Sequence, residues 1–365
     1  MATTDQLDRF TRRTKKFYEE IVTTLMPGKQ GIDRFLFPVQ DIDANSKNFA
    51  IDELVDQPHG VSFRTRGAQS VTRPYDAGLG NIYEVPGASE KTPVDENLRD
   101  SVIAGGESTE SFSSRWTRLL SNIVRQHTVA HYTTRWFLAL QTLRTGRFSP
   151  TGLNGQDIGL EIDFDRDASL DLTYDFLAVG ATVLIALNEM YEAYSALNGT
   201  ADNVVVLVGE SWLEKLEANT TIQKYFEANP INQLLKQDMM PQELFNTQGL
   251  KVVMQFRLPK KSTMLTICTF VPGGLFRAYS GATAAKYMPD TEAVMFSLDD
   301  SISRYTVTRG VDAYNDAKKV VRVAGDIVFD SFTTDDPIES LFRSQARYAF
   351  VPASKNHTAR SIGSF

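Results

Sequence analysis

Beyond residue 110 the apolar residues fall into a helical rhythm. Phe112, Trp116, Leu119, Leu120, Ile123, Val124, Ala130, Phe137, Leu138 and Leu140 recur mostly at spacings of three and four, which sets them on one stripe of an α-helix. Glu107 and Glu110 stand at its start, where carboxylates favour the positive end of the macrodipole. Ser108 or Thr109 can cap it, and Thr145-Gly146 closes it with the residue that tolerates φ > 0. The pattern predicts a helix of about 36 residues, roughly 54 Å long at the usual rise, against about 11–12 residues for an ordinary helix. A compact enzyme seldom needs such a rod, whereas a subunit that spans part of a large wall does.

The rhythm then changes to period two. Arg147-Phe148 and 160–164 read as short strands around a turn rich in Gly, Pro and Asn at 149–155. The run Leu160-Glu161-Ile162-Asp163-Phe164-Asp165 alternates apolar and acidic residues strictly, so one face packs while three carboxylates line the other. Such a row serves either as a solvated face or as a contact surface.

Elsewhere the patterning is mixed. Leu7, Phe10, Phe17, Ile21, Val22 and Leu25 approximate a helical stripe ended by Met26-Pro27-Gly28. This piece reads as a strap on a neighbour or as a helix packed on its own domain. Residues 61–66 and 80–85 alternate like two strands of a long hairpin, with turns at 73–79 and 86–89. A two-stranded ribbon is marginal alone and needs support. A second helix is expected over 177–197, ended by Asn198-Gly199. The continuous run at 203–208 has the pattern of a strand buried on both faces. A helix over 211–226, with Ser211 as its cap, and strands at 250–256, 264–271, 293–296 and 340–356 complete the reading, while 227–248 matches no pattern. The fold class is α+β, a mixed α/β chain.

Composition narrows the function more than the fold. The 365 residues are 42% hydrophobic and 23% charged, ordinary for a globular protein with a sizeable core. The one cysteine, Cys268, excludes an internal disulfide and a cysteine-based zinc site and suits a reducing compartment. No signal peptide and no membrane span are read. Net charge is −7, with small basic clusters such as Arg12-Arg13 and Lys15-Lys16, which argues against specific nucleic-acid binding.

Motifs for catalysis are incomplete. His127 and His131 are four apart, but Thr128-Val129-Ala130 between them lacks the glutamate of a zinc-protease helix. Gly209-Glu210-Ser211 lacks the second glycine of a nucleophile elbow, where Leu213 stands. Gly78-Leu79-Gly80 and Gly273-Gly274 complete neither a dinucleotide fingerprint nor a P-loop. No catalytic residue, metal or cofactor is expected.

The run Leu140-x-x-Leu143-x-x-Gly146-Arg147-Phe148-x-x-x-Gly152, followed by Leu160 through Arg166, resembles the major capsid proteins of the phage lambda head-protein family. Arg64-Thr65-Arg66-Gly67, Tyr287-Met288-Pro289-Asp290 with 304–309, and Arg343-Ser344 through Pro352 agree in the same order. The resemblance rests on the order and spacing of these blocks over about residues 60–355. It implies a Hong Kong 97 type capsid fold: an N-terminal arm (1–56), an extended E-loop (57–100), a P-domain with the long spine helix and hairpin (101–172), an A-domain (173–335) and a C-terminal return (336–365).

The resemblance further implies self-assembly into hexamers and pentamers of an icosahedral virion shell, formed in the host cytoplasm around double-stranded DNA. Expected partners are a separate scaffolding protein, a portal and, by analogy, a decoration protein. The E-loop would lie over the adjacent subunit, where Arg64, Arg66 and Arg73 suit pairing with Glu161, Asp163 and Asp165. Two other readings stay open. One is an encapsulin-like shell around protein cargo. The other is a cytoplasmic α/β enzyme built on the region 203–330, with a concave pocket and a perturbed titratable residue.

Overall fold

A computed structural model describes residues 31–51, 81–94, 112–151, 159–220, 222, 250–258, 261, 263–270, 275–276, 285–298, 304–314, 320–323, 325–335, 338–352 and 354–365. In chain order its elements begin with α1 (Ile32–Leu36), β1 (Val39–Asp43), β2 (Asn48–Ile51), β3 (Asn81–Glu84), β4 (Gly87–Val94), α2 (Phe112–Thr145), β5 (Arg147–Phe148), β6 (Ile162–Asp163), β7 (Asp171–Asp175) and α3 (Val183–Asn198). They continue with β8 (Asn203–Val208), α4 (Glu210–Glu217), β9 (Leu250–Arg257), β10 (Met264–Phe270), β11 (Leu275–Phe276), β12 (Ala285–Lys286) and β13 (Glu292–Ser297). The chain closes with β14 (Arg304–Arg309), β15 (Val311–Tyr314), β16 (Val320–Val323), β17 (Val328–Asp335), β18 (Ile338–Pro352) and β19 (Ala359–Ser364).

Two sheets organise these elements. One has six strands in the order β7-β19-β13-β8-β10-β9. Strand β8 lies at its centre, parallel to β10 and antiparallel to β13. Its unbroken apolar run follows from being covered twice. Val204, Val206 and Val208 pack with α3 and with Trp212 and Leu216 of α4. Val205 and Leu207 point the other way, into a core shared with Leu138, Leu140 and Leu143 of α2. Burying each such side chain stabilises the fold by about 1.5–3 kcal/mol, so an alternating polar residue would be costly on either face.

The other sheet is built on the 15-residue β18. Its first half lies between β17 and β4, and its second half pairs with β14, which is parallel to β1. Strand β14 therefore belongs to the sheet of β18, while the last strand, β19, crosses back to join the six-stranded sheet. Helix α2 serves both sheets. Leu120, Ile123 and Val124 of its N-terminal half meet Phe342 of β18, and its C-terminal half meets the underside of β8 and β13.

Several expectations meet corrections of register. The long helix appears as 34 described residues, about 51 Å of rise, closed as expected by Gly146 at φ +66°; its cap candidates Ser108 and Thr109 lie outside the described residues. Helix α3 starts at Val183 rather than at 177, because Gly180 adopts φ +83° and the Thr182 hydroxyl accepts the Ile185 N–H. The turn expected at 86–89 is the start of β4, since eight positions of β18 offer it a ladder and pairing overrides local turn preference. Strand β3 pairs with β2; the other hairpin strand, 61–66, the helical stripe at 7–25 and the segment 227–248 lie outside the described residues.

Ser211 does not cap α4. Gly209 occupies that position, and the Ser211 N–H donates to the Asp290 carbonyl (3.1 Å). A Cβ on Gly209 would sit 2.1 Å from the Pro289 carbonyl oxygen, so only glycine permits this approach.

Within residues 31–51, expected as part of the arm, five side chains including Phe49 enter the core, while 38–48 stays exposed or half-buried. Ile32, Phe35, Leu36 and Phe37 are buried against α2 and β18. A buried ion pair fixes α1 there: Arg135 Nε donates to Asp33 Oδ2 (2.9 Å) and Trp136 Nε1 donates to Asp33 Oδ1 (3.0 Å). Both side chains are almost sealed from solvent, at 0% and 1% exposure. Asp326 adds a second carboxylate at 3.2 Å from Arg135. Burial alone would lower the pKa of Arg135, but Asp33 and Asp326 outweigh it and raise it.

Removing one partner of such a pair strands a charge. Asp33→Ala is expected to destabilise the chain by about 3–5 kcal/mol, whereas Arg147→Ala, which breaks only half-exposed pairs, costs about 0–1 kcal/mol. Urea denaturation of both variants checks the contrast.

Candidate functional site

The carboxylate hairpin hangs from the end of α2. Gly146 must be glycine twice over: its φ is positive, and a Cβ would fall 2.8 Å from Cβ of Arg166. The turn sends Arg147-Phe148 back along Ile162-Asp163 as a two-residue ladder. Phe148, Ile162 and Phe164 are buried in the main core, while Glu161, Asp163 and Asp165 are exposed. The alternation read from sequence thus holds in side-chain direction, although the paired strand is shorter than 160–164.

The hairpin's acids already have local partners. Arg147 lies 3.4 Å from Glu161 and 2.9 Å from Asp163. Ser149 Oγ donates to Glu161 at 3.5 Å, and the Asp165 N–H donates to Asp163 Oδ1 at 2.9 Å. Asp165 itself holds φ +55°, which turns the chain towards Arg166. One arginine against three carboxylates leaves an outward acidic edge. The structure groups Glu161 and Asp163 around Arg147, with Asp165 beside them. The expected partners Arg64, Arg66 and Arg73 lie outside the described residues.

Behind this edge is an ionic clamp that sequence reasoning missed. Glu292 on β13 accepts two hydrogen bonds from Arg144 (2.8 and 2.8 Å) and two from Arg360 of β19 (3.1 and 2.6 Å). Arg166, almost wholly buried, donates to the Arg144 carbonyl (2.8 Å) and to Thr358 Oγ1 (3.1 Å) and pairs with Asp171. The last turn of α2, the hairpin, β7, β13 and β19 are thereby tied at one point. The available signal was Arg144 at the end of a helix that contains no acidic residue from 112 to 145. Its partner lies 148 positions away, beyond any local pattern.

Groups suspected of chemistry have structural partners. Nε2 of His127 is hydrogen-bonded to Thr92 Oγ1 (2.8 Å), and Nε2 of His131 to Ser344 Oγ (3.0 Å). Cys268 is buried, which pushes its thiol up to about 12. Among the described residues, no group of three or more His, Cys, Asp or Glu side chains is arranged to hold a metal. A cleft of about 90 Å³ lies between β4, α2 and the hairpin, lined by Pro86, Phe137, Leu138, Phe148, Pro150 and Tyr348 among others. That is well below the roughly 300–1,000 Å³ of small-molecule sites.

Burial would raise the pKa of Glu292, but the hydrogen bonds from Arg144 and Arg360 outweigh it and hold the carboxyl below its ordinary 4.5. A depressed carboxyl contributes stability above its unfolded pKa and loses it as pH falls through the folded value. Glu292→Gln is therefore expected to cost about 3 kcal/mol at pH 7, with the gap from the wild type closing below pH 4.5. Denaturation midpoints at pH 7, 5 and 3.5 check the sign.

No protein-family model matches the chain, and no curated protein matches it in sequence. Solved structures do match in shape. A protein assigned as the capsid protein of a prophage of E. coli CFT073 is similar over 97% of this chain and 99% of its own, with a TM-score of 0.62 and 11% identity. The capsid of cyanophage P-SCSP1u is similar over 92% and 89%, with a TM-score of 0.45 and 10% identity. The SrpI encapsulin of Synechococcus elongatus PCC 7942 is similar over 89% and 84%, at 0.40 and 5%. What the prophage protein shares with this chain is the fold, from end to end: the α+β capsid fold of Hong Kong 97 type that the sequence resemblance implies.

Proposed function

We propose that the chain is the major capsid protein of a tailed phage, a structural protein with no catalytic role. It assembles into the hexamers and pentamers of an icosahedral shell around double-stranded DNA. The observation that carries this reading is the end-to-end likeness to the prophage protein, in which both chains are covered almost completely. A chance likeness in one sheet would not extend over 97% of the chain. The chemistry agrees. Among the described residues, the buried ion pairs join one element to another, Arg135 with Asp33 and Arg144 with Glu292.

The mechanism is mechanical. A shell subunit must keep its own shape while making several weak contacts, since closed symmetry multiplies them and weak contacts let misplaced subunits leave. Helix α2 gives that shape its length, and the Glu292 clamp holds the helix end to the six-stranded sheet. The acidic edge of Glu161, Asp163 and Asp165 offers a neighbour a complementary charge, and Arg64, Arg66 and Arg73 of the E-loop region are the proposed donors. Net charge −7 suits a wall that encloses DNA without sequence-specific binding. A separate scaffolding protein, a portal and a decoration protein are the proposed partners, with assembly in the host cytoplasm and the virion as destination.

Charge reversal tests the contact. Arg66→Glu is expected to abolish the fast-sedimenting fraction of the expressed chain, and adding Asp163→Arg to restore part of it. Restoration is partial because Arg147 already pairs with Asp163. Unchanged assembly of Arg66→Glu would overturn the pairing while leaving the shell reading intact.

A further inference from the structure

Helix α2 is pinned to the second sheet by two histidines. His127 and His131 stand one turn apart, and both are buried, at 2% and 4% exposure. Each reaches a different strand, His127 the hydroxyl of Thr92 on β4 and His131 that of Ser344 on β18. The two strands are neighbours: Thr92 is in register with Phe342, and Glu90 with Ser344. The imidazoles therefore bridge the helix to both sides of one ladder, in a seam whose next turns are apolar, with Leu120, Ile123 and Val124 against Phe342 and Phe329.

Side-chain alternation limits which charges face this seam. From β4 the row that contains Thr92 also holds Glu90 and Ala88, and from β18 the row holds Phe342, Ser344, Ala346 and Tyr348. From β17, Phe329 and Ser331 lie in register with Ser344 and Phe342. Glu90 is thus the one carboxylate of these rows among the described residues, and it is exposed. From α2 itself Arg135 lies one turn beyond His131, with its charge met by Asp33 and Asp326. The Tyr348 phenol is buried and held neutral by burial. Two imidazolium ions one turn apart would repel each other, with one exposed carboxylate to offset them.

We propose that His127 and His131 form an acid-sensitive latch: while both rings are neutral they hold α2 to β4 and β18, and protonation releases this seam. The electrostatics agree in sign. Burial, then the charges of His127 and Arg135, push His131 down to about 4, against the opposing hydrogen bond with Ser344. Burial lowers His127 as well, against the opposing charge of Glu90. A depressed folded pKa gives stability that is present above the ordinary value of 6.5 and is lost as pH falls towards 4. For His131 alone, the equilibrium constant for opening the seam rises about 20-fold between pH 7 and pH 5.

Hydrogen–deuterium exchange of the full chain at pH 7 and pH 5, corrected for intrinsic exchange rates, tests the latch. Protection of peptides over 119–132, 88–94 and 340–346 is expected to fall by about 20-fold or more, while peptides over 183–198 keep theirs. In His131→Gln, whose amide can still bond Ser344 but does not titrate, most of that pH dependence is expected to vanish. Unchanged protection at pH 5, an equal loss over 183–198, or the same pH dependence in His131→Gln would each overturn the proposal. Should the variant fail to fold, the wild-type contrast between the seam and 183–198 decides alone.

Discussion

The six-stranded sheet has to be covered on both faces, and most of the architecture answers that demand. Its central strand β8 sends Val204, Val206 and Val208 to one side and Val205 and Leu207 to the other. Helices α3 and α4 cover the first side. The second is covered by the C-terminal half of α2 together with elements that reach it from the other sheet. The same helix must then continue past the sheet edge to meet β4 and β18. A helix of ordinary length would cover one sheet or the other. The 34 residues of α2 allow one rigid element to serve both.

Charge is placed where that shared helix needs fixing. Arg135, about two thirds along it, is buried against Asp33 and Asp326, and Arg144, at its end, shares Glu292 with Arg360. Such pairs add little net stability compared with apolar packing. They do select one orientation, because any other leaves a buried guanidinium unmatched. The hydroxyl partners of His127 and His131 fix the same helix one and two turns before Arg135. Orientation of α2 against two sheets is thus specified at three points along its length.

What could be read from sequence divides along the same line. The long helix, its closure at Gly146, the two-sided strand at 203–208 and the outward row of Glu161, Asp163 and Asp165 are local patterns of period 3.6, 1 and 2, and they were legible. Strand β4 was not, because Pro86-Gly87-Ala88-Ser89 has turn chemistry and becomes a strand only through its ladder with β18. Ser211 has the chemistry of a cap, but Gly209 takes that position because the close approach that demands glycine is to Pro289, 80 positions away in sequence. The Glu292 clamp joins residues 148 and 68 positions apart, and no pattern in the chain announces it. The fold itself was legible from the order of spaced blocks, none of which is decisive alone.

The proposed shell subunit would differ from an enzyme in what its surface is for. Here the ionisable groups inside the chain specify shape, and the acidic hairpin edge at the end of α2 remains directed outward. Electron cryo-microscopy of the chain expressed alone and with its genomic neighbours tests this account most directly. Closed icosahedral shells, or stable hexamers and pentamers, with α2 lying within the wall and the hairpin edge against an adjacent subunit, are the predicted result. A dispersed 40.8 kDa monomer under every condition, neighbours included, would contradict it.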